Sequence, residues 1–282
     1  MDPLDLVKLK PLMEKTMGRS EIAIGLIDGP IALPHPDLAD TSIRPVNGTP
    51  GSSCRHSASA ACSHGTMVAG VLLAKRGSAA PAICPGCSFL VYPVFGEDGA
   101  PVAAPDSVAN AILAVIEAGA RVINLSAALP LISSERQLRL EEALNLAARK
   151  GVVVVAAAGN EGLLGSSSIT CHPWVIPVAG CDAEGRPLKS SNLGRSTGQR
   201  GLSAPAEGIT TLGAGGHPAR FDGTSAATPF VTGTIALLWS EFPGLNGQQV
   251  RQAVTQSGLR PRQVLFPRLL DASAAYRYLA KR

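Results

Sequence analysis

VVVVAAAG, residues 152–159, is an unbroken apolar run that ends in glycine. No polar residue alternates with its valines, so both faces of the segment must be covered. Strands of this kind occur in parallel sheets with helices on each side, whereas a sheet with one wet face alternates apolar and polar positions. Working outward, Val- and Ile-rich runs occupy 22–27, 88–94, 121–125 and 174–179, and helical spacing fills 64–75, 105–118 and 134–149. This alternation predicts an α/β fold with a mostly parallel central sheet and helices on both faces. Beyond about residue 185 the pattern shifts to short strands at 201–204, 208–213 and 217–222. A long apolar helix from Ser225 to Trp239 follows, then helices near 247–256 and 270–281. The longest loop lies at 44–62, where Gly, Ser and Pro supply turns. No repeat and no linker interrupts the pattern, so residues 1–282 are expected to form one domain.

Composition narrows the function classes. Apolar residues make up 45% and charged residues 16%, which excludes intrinsic disorder. Lys+Arg 25 against Asp+Glu 21 leaves a net charge of +4, too weak a field to argue for nucleic acid. The longest apolar stretch, Val152 to Ala158, is far shorter than the roughly 18 residues of a membrane-spanning helix. Residues 1–20, MDPLDLVKLKPLMEKTMGRS, alternate charged and apolar residues at helical spacing and lack the apolar core of a signal peptide. The expectation is a cytoplasmic chain with no membrane partner, its oligomeric state unspecified.

Six cysteines qualify that expectation. Cys54, Cys62, Cys84, Cys87, Cys171 and Cys181 fall into three close pairs, and fifteen connectivities are open to them. Disulfides would point to an oxidising compartment. Cys84-Pro-Gly-Cys87 precedes an apolar run, whereas a redox CxxC opens a helix. A zinc site needs a second such pair or a compact Cys/His cluster, of which only Cys171-His172 gives a hint. Structural disulfides or buried thiols account for the set more simply.

Three stretches carry residues able to do acyl-transfer chemistry. In GTSAATPFVTGTIALL, 223–238, Ser225 opens an apolar helix. Such a serine is ordinarily an N-cap, but the small residues around it leave room for a substrate backbone. The helix N-terminus also offers free N–H groups and partial positive charge to a developing anion. In SHGTMVAGVLLA, 63–74, His64 stands at the expected start of another helix, in competition with His35, His56, His172 and His217. In IAIGLIDGP, 22–30, Asp28 closes an apolar strand, on the edge where α/β folds place their sites. Asp37 and Asp40 are alternative carboxylates, set in a loop that would hold them less firmly.

Taken together, LIDGP, SHGT and GTSAATP in the order Asp28, His64, Ser225 resemble the subtilisin-like serine proteases, from about Ile22 to Trp239. The resemblance implies the three-layer subtilisin-like fold and the catalytic triad Asp28, His64 and Ser225. AAAGNEG, 156–162, matches the family's oxyanion segment and implies Asn160 as a side-chain donor beside the Ser225 N–H. Ser126, Ala127 and Ala128 on one side, and Ala157, Ala158 and Gly159 on the other, would flank the pocket for the residue before the cut. Extended peptide would add as a strand along 126–128. Gly99 and Ala100 would form the opposite rim, and Glu161 would lie near the pocket floor and influence preference there.

Departures from secreted relatives narrow the expectation. About twenty residues precede the first strand, which implies no folding prodomain. Lys75-Arg76-Gly77-Ser78 stands where many relatives carry a calcium loop, and this cationic stretch offers few oxygen ligands. No calcium, other metal or cofactor is expected. The segments LIDGPIALPHPDL (26–38), INLSA (123–127), GRPLKSSNLG (185–194) and APAEGI (204–209) are most similar to the N-terminal proteases of cyanobactin clusters, which cut leaders from ribosomally made precursor peptides. The helical insertion of macrocyclising relatives is not evident, so hydrolysis is favoured over transpeptidation. Three functions stay open: a processing endopeptidase, a general intracellular degradative subtilase, and a catalytically silent peptide-binding scaffold.

Overall fold

The computed structural model of the chain describes residues 1–44, 46, 49, 51–98, 103–127, 137–258 and 265–282. Two short helices, α1 (Pro3–Leu6) and α2 (Lys10–Lys15), lead into β1 (Ala23–Asp28). After β2 (Ser42–Arg44), helix α3 (Ala60–Leu73) precedes β3 (Ser88–Pro93), α4 (Pro105–Glu117) and β4 (Val122–Leu125). Next come α5 (Leu138–Lys150), β5 (Val153–Ala157), β6 (Ile176–Cys181), α6 (Arg195–Arg200) and β7 (Leu202–Pro205). Strands β8 (Ile209–Leu212) and β9 (Pro218–Phe221) then lead to α7 (Thr224–Glu241), α8 (Gly247–Gln256), β10 (Arg268–Leu269) and α9 (Ala272–Ala280).

The main sheet has the strand order β10-β7-β6-β5-β4-β1-β3-β2, and all its pairings are parallel. Strands β8 and β9 form a separate antiparallel hairpin. Strand order reverses around β1, which pairs with β3 on one side and β4 on the other. In open parallel sheets the crevice at the carboxyl ends of such strands is where ligands bind. Asp28 is the last residue of β1, and Ser126 directly follows β4.

Two apolar layers sandwich the sheet. On one face Val153 and Val155 of β5, with Ile24 and Leu26 of β1, pack against α3 and α7 through Val68, Leu72, Val231 and Ile235. On the other, Val154 and Ala156 join Ile123 and Leu125 against Ile112 and Val115 of α4 and Leu140 and Leu144 of α5. The apolar run at 152–159 is therefore buried on both sides, as its lack of polar alternation predicts. Helix α7 runs through the core, with Thr224 through Ser240 all buried. Among the described residues, no helix is long and apolar enough to cross a membrane.

Differences from the sequence expectation lie at element ends. Helix α3 begins at Ala60, one turn before His64, because the Ser59 side chain accepts the Cys62 N–H and caps it. Strand β6 is displaced toward the C-terminus, since Trp174 is used to pack beside the second apolar layer and bond the Val152 carbonyl. The expected helix start at 134 lies outside the described residues. Residues 1–20 are folded onto the core, with Val7, Leu9, Leu12 and Met13 buried. The Arg76 guanidinium holds this segment by donating to the carbonyls of Met13, Thr16 and Ile83.

Candidate active site

Asp28, at the end of β1, is 2% exposed, and its Oδ1 accepts the Gly29 N–H at 2.6 Å. The same oxygen lies 2.7 Å from Nδ1 of His64 on α3. This approach depends on Gly65: a Cβ there would sit 2.4 Å from the Pro30 carbonyl oxygen and 2.5 Å from that of Gly29. The second Asp28 oxygen, Oδ2, is buried with no hydrogen bond among the described residues, so a protonated imidazole is the main compensation available to this carboxylate. Burial alone would depress the His64 pKa, but the Asp28 charge and hydrogen bond outweigh it and raise the pKa above its ordinary value.

The imidazole is also held sideways. Phe95 and Phe221 meet its ring edge-on, with centroids at 6.1 and 5.4 Å. Its side chain remains 23% exposed, so a reacting group has access. The other histidines are engaged elsewhere or exposed. His35 accepts the Asp37 N–H, His172 bonds Asn145 and the Trp174 N–H, and His56 and His217 are exposed. Asp37 lies in a short 3-10 helix, Pro36–Leu38, rather than the expected loop, with its carbonyl accepting the Lys75 N–H, and Asp40 lies in the turn that follows.

Ser225 lies in the first turn of α7, four positions after Phe221, and is 7% exposed. Its hydroxyl donates to the Ser126 carbonyl at 3.3 Å, rather than to His64. The N–H groups around it are otherwise committed: Thr224 donates to Asn160 Oδ1 at 2.8 Å, and Ala226 and Ala227 donate to the Gly223 carbonyl. The Ser225 N–H has no partner among the described residues and points from a helix N-terminus, a position suited to an anion. Because Asn160 uses its oxygen on Thr224, its NH2 group is left as a donor. Thr224 Oγ1 in turn accepts the Gly159 N–H at 3.2 Å, which staples the two donor segments together.

Ser126 is positioned by a buried polar chain. Thr232 Oγ1 of α7 donates to Asn124 Oδ1 at 2.9 Å, and Asn124 Nδ2 donates to Ser126 Oγ at 2.8 Å. The β4–β5 ladder ends at Leu125–Ala156, leaving Ser126 and Ala127 on one edge and Ala157, Ala158 and Gly159 on the other. Glu161 is exposed beside them and its carboxylate accepts from Asn192 Nδ2. Gly99, Ala100 and Ala128 lie outside the described residues. The one disulfide among the described cysteines joins Cys54 to Cys62, two residues before His64, whereas Cys84, Cys87, Cys171 and Cys181 are free thiols. Sequence reading missed Asn124, Thr232, Phe95 and Phe221; a polar Asn inside the apolar strand VINL was the available signal.

Comparisons with known proteins give the family and the fold. The model of the Subtilase family (Peptidase S8) matches residues 19–269. A thermophilic serine proteinase of Bacillus sp. (strain AK1) is 32% identical over 244 residues, covering 86% of this chain and 57% of its own length. The protease domain of PatA superposes with a TM-score of 0.87 at 32% identity, covering 94% of this chain and 97% of that one. The prenylagaramide maturation protease PagA gives 0.85 at 28% identity, covering 96% and 98%. The chain spans between 52% and 62% of the length of the first curated relatives it matches.

Proposed function

The chain belongs to the subtilase family, and from that membership we propose that it is a serine endopeptidase acting through Asp28, His64 and Ser225. The observation that carries the proposal is the part-buried Asp28–His64 pair at 2.7 Å, set beside a helix whose first turn presents the Ser225 hydroxyl and an uncommitted N–H. His64 accepts the Ser225 proton at Nε2 as the oxygen attacks the scissile carbonyl, then delivers it to the leaving amine. Asp28 holds the imidazole by Nδ1 and stabilises its protonated form. The Asn160 NH2 group and the Ser225 N–H receive the oxyanion. Water then hydrolyses the acyl-enzyme, with His64 again as base.

Substrate binding couples to this chemistry through Ser126. Peptide adding as a strand along Ser126 and Ala127 competes for the main-chain groups of that edge. Its arrival at the Ser126 carbonyl frees the Ser225 hydroxyl to turn to His64. Ala157, Ala158 and Gly159 wall the opposite side, and Glu161 biases the side chain accepted before the cut. Residues 1–282 act as one catalytic unit on a peptide partner, with no metal or cofactor.

The substrate is a leader-bearing precursor peptide. Support comes from two maturation proteases, patellamide's PatA and prenylagaramide's PagA, which share 32% and 28% identity across nearly the whole chain. The test is incubation with candidate precursor peptides and location of the cut by mass spectrometry, with Ser225→Ala as control. A single cut at a leader–core boundary is expected. Broad digestion of denatured casein would favour a degradative subtilase.

A further inference from the structure

Asn192, in the loop between β6 and α6, is 5% exposed and spends its hydrogen bonds on one neighbour, the segment carrying Asn160. Its Oδ1 accepts the N–H groups of Glu161 at 3.2 Å and Leu163 at 2.9 Å. Its Nδ2 donates to the Glu161 carboxylate, and its own N–H donates to the Gly159 carbonyl at 3.0 Å. Two N–H donors require the amide oxygen and a carboxylate requires the NH2, so both ends of the amide are assigned by chemistry. Gly159 turns with φ +105°, and a Cβ there would lie 2.3 Å from Asn192 Nδ2. The chain on both sides of Asn160 is thus clasped by Asn192, while Thr224 holds Gly159 and the Asn160 side chain from α7.

We infer that Asn192 is a positioning residue for catalysis: it sets the place of the Asn160 donor and anchors the Glu161 carboxylate at the pocket edge. The inference rests on the endopeptidase reading above and adds a residue to it. Asn192 bonds neither Asn160 nor the triad, so its effect passes through the backbone of 159–163. Oxyanion donors act only within a narrow geometry, and a shift of about 1 Å can cost about 10²-fold in rate.

The test compares Asn192→Ala, Asn192→Asp, Glu161→Gln and the double variant Asn192→Asp/Glu161→Gln, using steady-state kinetics and amide hydrogen exchange. Asn192→Ala lowers kcat by about tenfold or more, with KM within about twofold, as loss of transition-state donors requires. Asn192→Asp keeps an oxygen for the two N–H groups but sets a second carboxylate against Glu161, and it loses kcat similarly. Adding Glu161→Gln remakes that bond with donor and acceptor exchanged and returns kcat to near that of Glu161→Gln alone. Wild-type-like kcat in both single Asn192 variants, or a loss in Asn192→Asp that Glu161→Gln leaves untouched, overturns the inference. Exchange reads the clasp independently of turnover: the Glu161 and Leu163 amides exchange faster in Asn192→Ala, and unchanged protection refutes it. Lack of wild-type turnover with the clasp intact would instead count against the endopeptidase reading.

Discussion

Asp28 and His64, 36 positions apart in the sequence, meet at 2.7 Å between Oδ1 and Nδ1. The contact joins the end of the central strand β1 to the second turn of α3 across the switch point of the sheet. It gives the imidazole a fixed tautomer, with Nδ1 donating to the carboxylate and Nε2 free to accept a proton.

The pair sets the pH dependence. Burial lowers the His64 pKa, the Asp28 charge and hydrogen bond raise it, and the net shift is upward from 6.5. Catalysis needs the neutral imidazole, so kcat/KM rises with pH through a midpoint above 6.5. Asp28→Asn removes the charge, the larger of the two raising contributions, so the midpoint falls relative to the unsubstituted protein while kcat drops by about four orders of magnitude. Stopped assays from pH 5 to 10 check both; a rate flat over that range contradicts His64 as base.

Removing the Asn160 amide tests the oxyanion assignment. Asn160→Ala is expected to lower kcat about 10²–10³-fold with little change in KM, the loss typical of such donors, subtilisin's among them. The variant also loses the acceptor for the Thr224 N–H, so a thermal melt accompanies the kinetics. Unchanged kcat removes Asn160 from the mechanism.

Glu161 has one carboxylate oxygen engaged by Asn192 and is exposed at the pocket edge. Glu161→Gln is expected to weaken preference for basic or polar side chains before the cut. Peptide-library profiling measures it, and an unaltered profile ends the assignment.

The Cys54–Cys62 bridge, at a sequence separation of 8, ties the loop preceding α3 to that helix's first turn. Glu97 holds the same loop by accepting from the Arg55 and His56 N–H groups and the Ser59 hydroxyl. Replacing Cys54 with serine is expected to cost about 2–3 kcal/mol of stability, and to lower Tm by about 5 °C. Calorimetry of the oxidised protein checks it, and an unchanged Tm refutes a stabilising role.

What was legible in the sequence was local. Asp28, His64 and Ser225 each sit in a short motif beside glycine and small residues, and the surrounding apolar runs place them at strand and helix ends. The run at 152–159 announced a doubly covered strand by composition alone. What stayed hidden depends on contacts between distant segments. Nothing near Asn192 signals that its amide clasps 159–163, and the rings of Phe95 and Phe221 become neighbours of His64 only once the sheet forms. The edge strands β2 and β10 are three and two residues long, too short for a periodic signal. Cysteine spacing left fifteen connectivities open; among the described residues only Cys54 and Cys62 are joined, and the Cys84 and Cys87 thiols lie buried and free.

The most direct test of the central claim is reaction of the native protein with a fluorophosphonate, followed by intact mass and peptide mapping. One adduct on Ser225 is predicted, with labelling strongly reduced in His64→Ala and rising with pH as the imidazole loses its proton. A folded protein that takes no label, or takes it at a different serine, would contradict the assignment of Ser225 as nucleophile and His64 as its base.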